Sequence, residues 1–154
     1  MIVSLDIDAP FQSFNLLGPI LHWIQPGLKP VPSESTSNTF NLKSTAPFVA
    51  NYIGPAPPPG SSPHRYIFFL FEQPDALDGA KYTPPDGQNL GNMSRMRYDL
   101  DAWGKEIGLG SLVAVNYFRS HWCQLAYGVF TYLLEVFLCF TCCKEYGSSE
   151  GIQL

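Results

Sequence analysis

The run HRYIFFLF at residues 64 to 71 is apolar at every position from Tyr66 onward and is followed by Glu72 and Gln73. An uninterrupted apolar run of this length suits a central strand covered on both faces. The twelve residues before it, YIGPAPPPGSSP, hold five prolines and two glycines. Proline fixes φ near −65° and glycine opens backbone angles closed to other residues, so this is a loop stiffened into one shape. A rigid loop thus delivers His64, Arg65 and Tyr66 to the mouth of a buried strand. Strand alternation places His64 and Tyr66 on one face and Arg65 on the other, where Glu72 is a candidate ion-pair partner.

The rest of the chain has the punctuation of a loop-rich β domain. Its 154 residues suffice for one core, 45% are apolar and 14% charged, and 13 glycines and 14 prolines supply turns. Met1 to Leu5 and Ile20 to Ile24 read as strands. Gln25 to Asn38 reads as a surface loop, and Thr39 to Ser44 alternates like a half-buried strand. Asp75 to Leu90 is loop-like, with a turn at Pro84-Pro85-Asp86-Gly87. Leu100, Trp103 and Ile107 share a helical face behind Asp99 as cap, and Leu112 to Phe118 is rich in strand formers.

The net charge of −4 offers no basic field for nucleic acid. The first residues, MIVSLDIDAP, lack the pattern of a secretory signal, and all four cysteines fall after residue 120, which points to a cytoplasmic protein. Residues 125 to 143 carry Glu135 as their only charge and are long enough for a marginal membrane span, with weak membrane association as the alternative location. His121, Cys123, Cys139 and Cys142 can be written as a zinc set, but their apolar surroundings lack turn residues, and no metal or cofactor is expected.

Three groups of residues could carry chemistry. Asp6 and Asp8 are read either as one carboxylate facing inward and one outward, or as two turn residues ahead of Pro10. His22, between Leu21 and Trp23, is either a satisfied core histidine or a pocket donor. Gly54, Pro57, Pro58, His64 and Tyr66 form the third group, in which backbone freedom, rigidity and ring or phenolic donors converge. No nucleophile elbow, Walker loop, dinucleotide fingerprint or His-Glu-x-x-His helix is present, so the chain is not read as an enzyme.

DIDAP at 6 to 10, HW at 22 and 23, GPAPPPG at 54 to 60, HRYIFFLFEQ at 64 to 73 and RMRYDLDAWGKEIGLGSLVAVNYF further on resemble the phosphatidylethanolamine-binding protein family. That family includes the Raf kinase inhibitor proteins and plant flowering regulators, and the style here is most similar to its fungal members. The resemblance implies an antiparallel β-sandwich with one or two short peripheral helices, over residues 1–121, and places 122–154 outside the pattern. It implies a small surface pocket for phosphate-type anions or phospholipid head groups, built from Asp6, Asp8, His22, Gly54, Pro57, Pro58, His64 and Tyr66. In that pocket Asp6 is expected to accept from one ring nitrogen of His22 or His64 and so aim the other at the ligand.

Two substitutions depart from the pattern: Ile7 replaces a proline and Ala56 a glycine. Family members also have several strands before the position of Asp6, so the resemblance implies a sandwich incomplete at its N-terminus. The function implied first is anion or head-group binding. The alternative is regulatory inhibition of a kinase or a serine carboxypeptidase. A third reading is a small-molecule enzyme using His22 or His64 as acid or base.

Overall fold

A computed structural model of the protein describes residues 1–32 and 40–122. The expectations for the apolar stretch 125–143 and for the four cysteines therefore lie outside the described residues. Strands β1 (Ile2–Asp6), β2 (Ile20–Gln25), β5 (His64–Phe71) and β6 (Leu112–Ser120) form one antiparallel sheet in the order β2-β1-β5-β6. A separate two-stranded sheet pairs β3 (Leu28–Pro32) with β4 (Phe40–Ser44). Two short helices, α1 (Gly79–Tyr82) and α2 (Leu100–Ile107), complete an all-β architecture of the expected kind.

The core lies on one face of the four-stranded sheet. Val3, Leu5, Leu21 and Ile24 are fully or almost fully buried, each burial contributing about 1.5–3 kcal/mol. The helical stripe Leu100, Trp103 and Ile107 packs on this cluster with Leu77, Tyr82, Leu90 and Tyr98. Helix α2 begins where Asp99 accepts a 2.8 Å bond from the Ala102 amide. It ends where Gly108 turns left-handed at φ 67° and the Leu109 amide reaches back to the Gly104 carbonyl. That pair of C-terminal bonds needs a residue free of a Cβ penalty, which is glycine's role here.

Three expectations are corrected. Residues 28–32 are a strand, not loop. Its prolines at 30 and 32 suppress the sequence signal, yet among the described residues β3 pairs on one side only, where a missing N–H is tolerated. Strand β4 is exposed along its whole length rather than half-buried, because among the described residues only β3 flanks it. Strand β5 is central, between β1 and β6, but Ile67 to Phe71 are half-buried instead of covered on both faces.

Candidate functional site

The site sits on the sheet face opposite the helix. Tyr66 on β5 is the direct cross-strand partner of Asp6 on β1, and residues so paired share a face. His64, two positions from Tyr66, joins them. His22 reaches the same face through a bulge. The register steps from Ser4↔Trp23 to Leu5↔Leu21, which leaves His22 as the extra residue and re-aims its ring. Its ring then meets Tyr66 edge-on with centroids 5.0 Å apart.

Hydrogen bonds along the outer edge of β2 bring in the proline-rich loop. Ile24 and Ala50 bridge, and the Ile53 amide donates to the His22 carbonyl at 3.0 Å, so the chain runs beside β2 directly into Gly54. The result is a cavity of about 380 Å³ lined by Asp6, His22, Gly54, Ala56, Pro58, His64 and Tyr66, with Arg95 and Met96 closing another side. Gly54 has no left-handed φ; what it leaves is open space where a Cβ would stand. A wider groove of about 880 Å³ on the opposite face, between Leu16, Phe69, Phe71 and Tyr98, holds none of the candidate residues.

Asp6 and Asp8 are both buried, which excludes one inward and one outward carboxylate. Positions two apart share a face in a strand, and β1 in any case ends at Asp6. The Asp6 side chain serves the turn, and the Asp8 side chain does not. Asp6 Oδ1 accepts from the Asp8 amide at 2.9 Å. Ile7 uses the N–H that a proline would lack to reach the Arg65 carbonyl at 3.3 Å. Asp8 faces away from the cavity lining and holds Arg65, whose Nε and Nη2 donate to its two oxygens at 2.9 and 2.7 Å. Arg65 thus makes its ion pair with Asp8 and not with Glu72. That fork is the first cause of an Asp8 carboxyl held below the usual aspartate range. Pro57 is buried and lies outside the cavity lining.

The donors divide into engaged and free. His64 Nδ1 lies 2.8 Å from Asp6 Oδ2, and its Nε2 lies 3.1 Å from the Pro10 carbonyl. Both partners are acceptors, so both ring nitrogens of His64 are engaged by protein oxygens. His22 donates from Nδ1 to the Ile53 carbonyl at 2.9 Å; Nε2, with no hydrogen-bond partner among the described residues, is an acceptor in the neutral ring and a donor only when the ring is protonated. Burial is the main cause holding His22 below the ordinary histidine value. The Tyr66 hydroxyl is buried and makes no hydrogen bond of good geometry. Burial first, then the neighbouring Asp6 carboxylate, push this phenol far above its ordinary value, so it stays a donor.

Sequence reasoning about site chemistry missed Arg95. It is 1% exposed and touches only oxygens of Leu21, Leu90 and Asn51. In RMRYD it looks like a surface cation, and only the fold reveals those partners.

This architecture defines a small antiparallel β protein with a cavity at one sheet face. The family model described as phosphatidylethanolamine-binding protein matches residues 1–118, and the chain belongs to that family. The carboxypeptidase Y inhibitor of Saccharomyces cerevisiae is 32% identical over 129 residues, covering 77% of this chain and 58% of the inhibitor. Phomoidride biosynthesis cluster protein N of Talaromyces stipitatus is 36% identical over 124 residues, covering 78% of this chain and 58% of that protein. A solved structure of carboxypeptidase Y inhibitor complexed with its cognate proteinase superposes with a TM-score of 0.57 at 30% identity. It covers 77% of this chain and 57% of the inhibitor, so this chain spans under two thirds of these relatives. Among the described residues no helix is long and apolar enough to cross a membrane.

Proposed function

We propose that this protein is a non-enzymatic binding module whose cavity takes a phosphate-type anion, either free or as a phospholipid head group. The observation that carries this reading is the Tyr66 hydroxyl, which is buried, makes no hydrogen bond of good geometry among the described residues although Asp6 and the Ala56 backbone lie near it, and lines a cavity with His22. A buried polar group left unpaired costs about 1–3 kcal/mol, which a ligand oxygen accepting from it would recover. Asp6 and the Pro10 carbonyl occupy His64, so that ring shapes the wall while Tyr66 meets the ligand. No activated nucleophile lines the cavity.

The test is thermal unfolding with inorganic phosphate and with glycerophosphoethanolamine at constant ionic strength. A saturable rise in Tm supports the reading. An unchanged Tm at millimolar ligand opposes it.

A second reading is inhibition of a serine carboxypeptidase, favoured by the similarity to the yeast inhibitor. Its measurement is hydrolysis by carboxypeptidase Y in the presence of the chain. Undiminished turnover with the chain in excess rejects it.

A further inference from the structure

Among the described residues Arg95 is a buried cation without a countercharge. Its Nε donates to the Leu90 carbonyl at 3.1 Å and Nη1 to Leu21 at 3.1 Å. Nη2 donates to the Asn51 carbonyl at 3.2 Å and to the Asn51 side-chain oxygen at 2.5 Å. These neutral oxygens take four of the five guanidinium N–H groups and leave one on Nη1. No carboxylate of the described residues pairs with it: the Asp6 and Asp8 pairs go to His64 and Arg65, and Glu106 faces Lys81. A guanidinium keeps its charge across the accessible pH range, and removing such a charge from water is costly unless an opposite charge answers it.

The backbone is arranged around this residue. The Leu21 amide donates to the Arg95 carbonyl at 2.8 Å while the Leu21 carbonyl accepts from Nη1. Leu21 is the residue next to the bulge that aims His22 into the cavity. One side chain therefore both clamps the bulged strand and lines the void.

We infer that Arg95 is the fixed positive charge of the pocket and that the bound anion is its missing countercharge. The inference rests on the anion-pocket reading and adds to it. The charge that attracts the ligand is permanent. Asp6, His22, His64 and Tyr66 are the titratable groups that line the cavity with Arg95, and Asp6 is already engaged by His64. The favoured ligand class is a small dianion such as a phosphomonoester, which can meet the Arg95 field and the Tyr66 hydroxyl together.

The pH dependence of binding distinguishes the two sources of charge without altering the chain. Sulfate is the probe, because it remains a dianion throughout. It is titrated into the full 154-residue protein from pH 6 to pH 9 at constant ionic strength, following the methyl signals of Ile20, Ile53 and Met96, which line the cavity. Affinity should fall by at most about tenfold as His22 loses its proton and then level off, with binding retained at pH 9. Binding at pH 6 that vanishes by pH 9 overturns the role of Arg95 and leaves the anion pocket standing on histidine charge. No shift of these methyl groups at any pH overturns both.

Discussion

Replacing Tyr66 with phenylalanine removes one oxygen and leaves the ring. The ring stacks on Phe118 at 5.3 Å and meets His22 at 5.0 Å, and a phenylalanine preserves both contacts. In the unliganded protein the deleted hydroxyl is buried and makes no hydrogen bond of good geometry among the described residues. Its loss should therefore stabilise the fold, by about 1 kcal/mol on the scale of an unsatisfied buried group. For a chain of this size that corresponds to a rise of about 2–5 °C in Tm. In the liganded protein the same hydroxyl is the donor to an anionic oxygen. Losing a hydrogen bond to a charged group costs about 1.5–3 kcal/mol, or roughly ten- to hundredfold in phosphate affinity. The two effects have opposite signs in one variant, and calorimetric titration with phosphate beside a thermal melt reads both. A Tyr66→Phe protein that is less stable than wild type and binds phosphate equally well refutes the reasoning, since the hydroxyl would then be a structural donor.

Asp6→Ala leaves the His64 Nδ1 and Asp8 amide contacts without their shared acceptor, so urea unfolding should show a loss of about 3 kcal/mol. An unchanged midpoint would mean that the pair contributes little. His22 titrates below its ordinary value because burial disfavours its charged form. Its contribution to stability is thus unchanged above the unfolded value of 6.5 and becomes unfavourable as pH falls toward the folded value. NMR should give a midpoint below 6.5 that phosphate moves upward; a midpoint indifferent to phosphate separates His22 from the ligand. The Asp8 carboxyl, held down chiefly by Arg65, adds stability that is complete above its unfolded value of 3.8 and is lost as pH falls through the lower folded value. The acid limb of the unfolding curve should be blunted in Asp8→Asn, and an unaltered limb contradicts that assignment.

The local parts of the site were readable in the chain, and the long-range parts were not. The proline-rich loop, the HRYIFFLF strand and the i, i+2 relation of His64 to Tyr66 are properties of contiguous residues, and they stand where alternation puts them. Asp99 and the stripe Leu100, Trp103, Ile107 likewise specify helix α2 through short-range bonds. His22 is different. Its direction depends on a bulge defined only by how β2 registers on β1. Sequence offers Arg65 the nearby Glu72, and only the turn after β1 brings Asp8 to it instead. Arg95 depends on carbonyls 74 and 44 positions away, at Leu21 and Asn51, and no local pattern announces a buried guanidinium. The β3–β4 pair escaped because prolines at 30 and 32 imitate a loop, while one-sided pairing tolerates them.

The most direct measurement is a crystal structure of the chain grown with inorganic phosphate. The account predicts one phosphate in the cavity between β2 and the Gly54 loop, with an oxygen within hydrogen-bond distance of the Tyr66 hydroxyl and another facing His22 Nε2 on the Arg95 side. A structure at saturating phosphate with this cavity holding only water, and Tyr66 bonded to a protein group, would contradict it.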